Sequence, residues 1–281
     1  MNLKQLAASV NTQRPNHSIL LYGPPKTGKT RLAGTAAKIR EFRKIYWFDL
    51  ENGSETLLHM DLSDEELEKI ILFRIPDTRE NPRACETLLK AFSSRNPSPI
   101  KICEEHGKVA CIECEKNNKP TESFLLSSLT HQDLIVIDSG SQLGDSALAM
   151  ACAGKDVSFK PTWDEWGLQV KWLGDIMSII QQAYHTNFLM ITHEIAIEEE
   201  LNGVKKDKIY PLVGTKAFCQ RVGKYFGTVV YVELKMGKHA AGSSSTYKVN
   251  YLSGSRVNAK MENSKEPDMK SIFIDGGILK E

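Results

Sequence analysis

The sequence predicts an α/β fold built on a mostly parallel sheet, closed late in the chain by an antiparallel hairpin. Three observations carry this. Ile19–Tyr22, Lys44–Leu50, Asp133–Asp138 and Asn187–Thr192 are nearly continuous apolar runs, the pattern of strands covered by helices on both faces. Stretches with helical spacing separate these runs, as crossover connections between parallel strands require. Thr228–Lys235 and Thr246–Leu252 instead alternate, the mark of paired antiparallel strands, with a flexible stretch, His239–Ser245, between them.

Composition narrows the class. The 281 residues suit a single α/β domain, 1–281, carrying a small insertion at 94–122. Hydrophobic residues at 41% and charged residues at 25% are enough for an ordinary globular core. No apolar run approaches the roughly 20 residues of a membrane span. The first ten residues, MNLKQLAASV, are amphipathic and lack a secretory hydrophobic region. The expectation is therefore a cytoplasmic protein with no membrane partner, in a reducing compartment where six cysteines serve as metal ligands or core residues. A net charge of +1 excludes a generally basic nucleic-acid binder, so any such site must be a local patch.

In chain order, Leu3–Val10 reads as a short helix and Asn11–Asn16 as a polar connector. The strand Ile19–Tyr22 then runs into Gly23-Pro24-Pro25-Lys26-Thr27-Gly28-Lys29-Thr30, which matches G-x-x-x-x-G-K-[ST] without a mismatch. The glycines let successive backbone N–H groups turn inward toward phosphate oxygens. Lys29 supplies the charge for the β- and γ-phosphates, and the Thr30 hydroxyl can hold Mg²⁺. A helix over Arg31–Arg40 would aim its positive end at the same anion, with Arg31 in its first turn. Gly23–Arg31 is thus a site for ATP and Mg²⁺.

The run Lys44–Leu50 ends in a turn, Asp49-Leu50-Glu51-Asn52-Gly53. Hydrolysis needs a group that orients or deprotonates water near the γ-phosphate, and Glu51 is the candidate. Ser63–Glu68 reads as an N-capped helical start, Ile70–Ile75 as a strand and Pro82–Phe92 as a helix. Composition then shifts over Ser93–Ser123, rich in Pro and charge, which reads as an insertion outside the core. It contains Cys103, His106, Cys111 and Cys114, spaced C-x2-H-x4-C-x2-C. Three thiolates and an imidazole make a tetrahedral Zn²⁺ set, and an insertion with little apolar content needs such a staple. Cys85, Cys152 and Cys219 read as ordinary buried cysteines.

Asp138 closes the run Leu134–Ile137, an apolar strand ending in an acid, about a hundred residues after the phosphate loop. This is the Walker B pattern, in which the carboxylate positions Mg²⁺ beside Thr30. Gln142–Ala153 is a helix and Gly154–Thr162 a loop. Trp163–Ala183 is a helix whose stripe of Trp166, Val170, Leu173, Ile176, Ile179 and Ile180 faces the core. Asn187–Thr192 leads to His193 and Glu194. Ligand sites in parallel sheets lie at the carboxyl ends of strands, where Gly23, Glu51, Asp138 and His193 would converge. Glu194–Gly214 reads as long and polar, and Thr215–Tyr225 as a helix. Lys205, Lys206, Lys208, Lys216, Arg221 and Lys224 form a basic group there, interleaved with Tyr210 and Phe218. Cations for phosphates and aromatics for bases suit a sequence-tolerant single-strand site.

GPPKTGKT followed in order by WFDLENG, DLIVIDSGSQL and NFLMITHE resembles the core of the RecA-type recombinase ATPases, over roughly Ile19–Leu252. At this size the chain is most similar to the phage-encoded, Sak-type annealing and recombination ATPases. The resemblance implies a RecA-like P-loop NTPase core with Glu51 as catalytic glutamate and Asp138 as Walker B acid. It places the γ-phosphate sensor at His193 or Glu194, where Asn-Gln is usual. It also implies two loops on single-stranded DNA, one at Gly154–Thr162 with Lys155 and Lys160, the other at Glu194–Thr215. Basic residues late in the chain would reach a neighbour's ATP site, Arg256 and Lys260 first, Lys235 and Lys238 as alternatives. The implied partners are single-stranded DNA, further copies of the chain in a ring or filament, and a single-strand-binding or other replication and recombination protein. The implied compartment is the host cytoplasm for a phage-encoded chain. The expected function is DNA-dependent ATP hydrolysis coupled to annealing or strand exchange. A DnaB-like helicase or loader, and a non-catalytic nucleotide-gated binding module, are the alternatives.

Overall fold

The computed structural model describes residue 5 and residues 17–93, 95–182, 186–201, 204–236, 245–250 and 268–274. The expected Leu3–Val10 helix (apart from residue 5), the connector Asn11–Asn16 and most of the stretch His239–Ser245 lie outside the described residues. Its centre is a seven-stranded sheet of β1 (Ser18–Tyr22), β2 (Lys44–Asp49), β3 (Ile70–Arg74), β6 (Asp133–Asp138), β7 (Asn187–Thr192), β10 (Thr228–Met236) and β11 (Ser245–Asn250). The order across it is β11-β10-β1-β7-β6-β2-β3. Every pairing is parallel except that of β10 with β11. The expected parallel sheet with a C-terminal antiparallel hairpin is what the chain forms.

Because side chains alternate across a strand, the apolar runs divide between two cores. Leu20, Tyr46, Phe48, Ile135, Ile137, Phe188 and Met190 face one way, under the helices Ala84–Ala91, Gly140–Ala151 and Trp163–Gln182. Ile19, Leu21, Ile45, Trp47, Leu134, Val136, Leu189 and Ile191 face the other, under Lys29–Gly34, its 3₁₀ continuation Thr35–Lys38, and Met269–Phe273. The expected Arg31–Arg40 helix therefore starts earlier and tightens before it ends. Asp64–Glu68 forms as read, with Ser63 and Glu66 closing a reciprocal capping box.

Three expectations are corrected. The polar stretch after β7 is an antiparallel hairpin, β8 (Glu194–Leu201) with β9 (Val204–Pro211), in which Glu199 lies opposite Lys206 and Glu200 opposite Lys205, though Glu198 meets Asp207. Thr215–Tyr225 breaks into a short helix, Lys216–Cys219, and a 3₁₀ turn, Val222–Tyr225. The insertion pairs β4 (Ile100–Cys103) with β5 (Thr121–Phe124) and is not outside the core. Ile102 and Phe124 are buried, and the Phe124 ring packs edge-on against Tyr46, Phe48 and Phe73. Cys85 and Cys219 are buried as expected, whereas Cys152 is only half-buried.

Candidate functional site

Strand register sets the site. Asp49 of β2 lies beside Asp138 of β6, Asp138 beside Ile191 of β7, and Tyr22 of β1 beside Thr192. Four strands thus end level, and the residues just past them share one edge. Gly23 leaves β1 at φ 154°, and a Cβ there would fall 2.0 Å from the Val232 carbonyl oxygen, so only glycine fits. Gly28, in the left-handed region at φ 82°, turns the loop into the helix that begins at Lys29.

Lys29 is buried, and its Nζ donates to the carbonyl oxygens of Gly23 (2.9 Å) and Pro24 (2.6 Å). Burial pulls its ammonium down to about 8, against the opposing pull of Asp138, Glu51 and Glu194. Thr27 is buried and ties its hydroxyl to the Pro24 carbonyl at 2.9 Å, closing the loop on itself, while Pro25, Lys26 and Arg31 are exposed on its rim. The Thr30 hydroxyl donates to Asp138 Oδ2 at 3.0 Å. Burial pushes the Asp138 carboxyl up to about 7; the Thr30 hydrogen bond opposes this, and the nearby Asp49 and Glu51 add to it. A buried hydroxyl–carboxylate pair beside a lysine, with carboxylates crowding it, fits a hard divalent cation such as Mg²⁺. Bound there, the ion would neutralise phosphate charge.

Glu51 stands on the loop after β2. The Ser139 hydroxyl donates to its Oε1, and His193 Nε2 lies 3.4 Å from its Oε2. Burial raises its carboxyl, but the contacts with His193 and Ser139 and the charge of Lys29 outweigh that and hold it below the usual carboxylate value. A carboxylate kept ionised and aimed by two partners can orient and deprotonate water. His193 and Glu194 part company. His193 faces Glu51, and its backbone N–H donates to Ser141 Oγ at 2.8 Å. Glu194 lies near Tyr22 and Tyr231, whose phenols it helps burial to raise. The structure thus brings Lys29, Thr30, Glu51, Asp138 and His193 together, with Glu194 near enough for its charge to act on Lys29 but placed toward Tyr22 and Tyr231.

Asp49, Ser139 and Ser141 are the positions that the motifs pass over and that contact the site residues. Buried Asp49 accepts backbone N–H groups from Glu51 (3.3 Å), Gly53 (3.0 Å) and Ser54 (3.1 Å), and so shapes the loop that presents Glu51. Its sequence signal was an acid at a strand end followed closely by Gly, an Asx-type turn.

The expected DNA-facing residues fare unevenly. Lys155 and Lys160 sit on the exposed loop before Trp163–Gln182, with Lys155 over the Phe159 ring at 5.2 Å. Trp163, at the start of that helix, is 91% exposed, whereas Trp166 and Trp172 further along it are partly covered. In the hairpin, Lys205 pairs with Glu198 at 2.8 Å and Lys208 with Glu199 at 2.5 Å, so these cations are partly spent internally. Phe218 is fully buried and cannot stack on a base, and the Tyr210 hydroxyl donates to Glu199 at 2.5 Å. Lys206 and Lys216 remain exposed. Arg256 and Lys260 lie outside the described residues, as does the Lys238 alternative, and nothing of the Lys235 side chain is described.

A mostly parallel sheet of this order with a phosphate loop following an interior strand, β1, places the protein among the P-loop NTPases. Residues 15–261 match the family described as AAA domain, and the chain belongs to it. A comparison with curated proteins finds no match. Solved structures with similarity include the RadB recombinase, 16% identical with a TM-score of 0.37, covering 80% of this chain and 79% of that one. A prototypical ATPase from the type III secretion system of pathogenic bacteria is 13% identical with a TM-score of 0.45, covering 77% of this chain and 52% of that one. The flagellar accessory protein FlaH from Methanocaldococcus jannaschii is 12% identical with a TM-score of 0.41, covering 91% and 87%. No helix among the described residues is long and apolar enough to cross a membrane.

Proposed function

We propose that the protein is a Mg²⁺-dependent ATPase that binds single-stranded DNA and uses ATP turnover to promote annealing or strand exchange in homologous recombination, phage recombination included. Lys29 and the loop N–H groups bind the phosphates. Thr30 and Asp138 hold the metal, and Glu51 takes the proton of the attacking water. His193 senses the γ-phosphate. The observation that carries this reading is its position: His193 touches Glu51 through its ring and directly precedes β8, so whatever moves it moves the root of the hairpin.

The DNA surface comprises Lys155, Lys160 and exposed Trp163 on one side and Lys206 and Lys216 on the other. Lys205 and Lys208 contribute less, since each is held by a glutamate. Exposed tryptophan beside lysines suits base stacking with phosphate pairing, and stacking contributes about 1–3 kcal/mol per base. The working form is a ring or filament, and a single-strand-binding or other replication and recombination protein shares its DNA. The cytoplasm is the compartment.

The test is DNA-stimulated ATPase together with single-strand affinity across a salt series. Trp163→Ala should weaken binding at every salt concentration. Lys155→Glu with Lys160→Glu should lower both affinity and salt slope. Unchanged affinity and slope in both variants would remove this surface from the account, and directional duplex unwinding would replace annealing with a helicase.

A further inference from the structure

The sulfur and nitrogen cluster of the insertion is linked through a chain of contacts to the loop that carries Glu51. The ligand atoms of Cys103, His106, Cys111 and Cys114 all lie within 4.8 Å of one another. His106 Nδ1 is 3.5 Å from Cys111 Sγ and 3.3 Å from Cys114 Sγ. A tetrahedral Zn²⁺ with bonds of about 2.0–2.3 Å needs donors roughly 3.5–4 Å apart. The surroundings are those of a structural site. The Lys108 N–H points at Cys103 Sγ at 3.4 Å, and Glu113 lies 4.0 Å from the other ring nitrogen of His106. Four protein donors leave no open position for chemistry.

Two sets of contacts join this knuckle to the loop of Glu51. In the first, Gly107 lies flat on the end of β3. A Cβ there would fall 2.6 Å from Ile75 Cα and 2.8 Å from the Arg74 carbonyl oxygen, and φ is +61°. The Ile75 N–H in turn donates to the Asp49 carbonyl at 2.9 Å, and the Asp49 carboxylate holds the Glu51 N–H. In the second, Arg83 donates to the His106 carbonyl at 3.1 Å and Thr87 to the Gly107 carbonyl at 2.8 Å. The backbone N–H groups of Arg83 and Ala84 are held by Asp77, which also accepts from Ser146 and Gln142. The Gln142 N–H donates to Ser139 Oγ at 3.2 Å, and Ser139 Oγ donates to Glu51.

We propose that Cys103, His106, Cys111 and Cys114 hold one structural Zn²⁺, and that the folded knuckle positions Glu51 through Asp49 on one side and Ser139 on the other. None of the four ligands belongs to the phosphate loop or to the strand ends that carry Glu51, Asp138 and His193. The second half of the proposal rests on the ATPase reading above; the metal half does not.

The experiment uses the full chain, purified without added metal, with zinc read by elemental analysis and kcat and KM measured separately. One zinc per chain is expected. Stripping it with a strong chelator should lower kcat by about tenfold or more, as misplacing a catalytic group does. Binding of a fluorescent ATP analogue should persist, and Zn²⁺ should restore kcat. Gly107→Ala keeps all four ligands and guards against a Cys111→Ser chain that fails to fold. It should retain zinc and lose kcat, while His106→Cys, which can still ligate, should retain zinc. A chain without zinc overturns the metal site. Zinc that can be removed with kcat unchanged overturns the positioning role, as does Gly107→Ala turning over at the wild-type rate. Zinc bound by a wild-type chain that hydrolyses no ATP overturns the positioning role and the ATPase reading together, and leaves the metal site standing.

Discussion

Replacing Asp49 by Asn separates loop geometry from nucleotide binding. The side chain is 1% exposed; its Oδ1 accepts from the Glu51 and Gly53 N–H groups and its Oδ2 from that of Ser54. Asn keeps the size and one acceptor oxygen, so the first two bonds can persist, weakened by loss of charge. Its NH₂ then faces the Ser54 N–H, donor against donor. A hydrogen bond to a charged group contributes about 1.5–3 kcal/mol, and leaving a buried donor unsatisfied costs about 1–3 kcal/mol. One term opposes this. Asp49 crowds the Asp138 carboxylate, and removing its charge relieves that repulsion. The net expectation is a loss of about 2 kcal/mol, read as a lower urea midpoint with an unchanged slope. The loop change also displaces Glu51, so kcat should fall by about tenfold, whereas KM for ATP should stay within about twofold because Lys29 and Thr30 lie on the helix after β1. A variant with wild-type midpoint and kcat would refute the reasoning. So would one that loses nucleotide affinity alone.

Two further outcomes follow from the same geometry. Burial lowers the Lys29 ammonium to about 8, and only its charged form attracts phosphate. kcat/KM for ATP should therefore fall as pH rises through about 8, approaching tenfold per unit beyond it, and a flat alkaline limb would contradict the assignment. Phe124→Ala should cost about 3–5 kcal/mol by denaturant unfolding, since that ring packs with Tyr46, Phe48, Phe73 and Phe92; a loss below about 1 kcal/mol would mean that β5, which closes the insertion, rides on the core without joining it.

The parts of the fold legible in the sequence were those in which one segment carries its own signal. β1, β2, β6 and β7 are buried on both faces, so each reads as an apolar run without reference to a partner. The phosphate loop, Asp138 and Glu51 were legible for the same reason, as was the spacing of the four zinc-type ligands. The hairpin β8–β9 was not. Its register sets Glu199 and Glu200 opposite Lys206 and Lys205, a pairing across strands invisible in either strand alone. The same pairing reduces what looked like a free basic loop. Ile102 was misjudged because an apolar residue in a charged stretch carries no periodicity, yet tertiary packing places it in the main core with Phe124, just past that stretch. Trp163 was hidden by its neighbours: it opens a helix whose Trp166 and Trp172 are partly covered, while it projects outward.

The most direct test of the central claim is steady-state hydrolysis of ATP with Mg²⁺ by the wild-type chain and by Glu51→Gln, alongside equilibrium nucleotide binding. The account predicts turnover by the wild type and, in the variant, unchanged binding with kcat lower by about 10²–10⁴-fold, the usual contribution of a general base. A Glu51→Gln protein that hydrolyses ATP at the wild-type rate would contradict it.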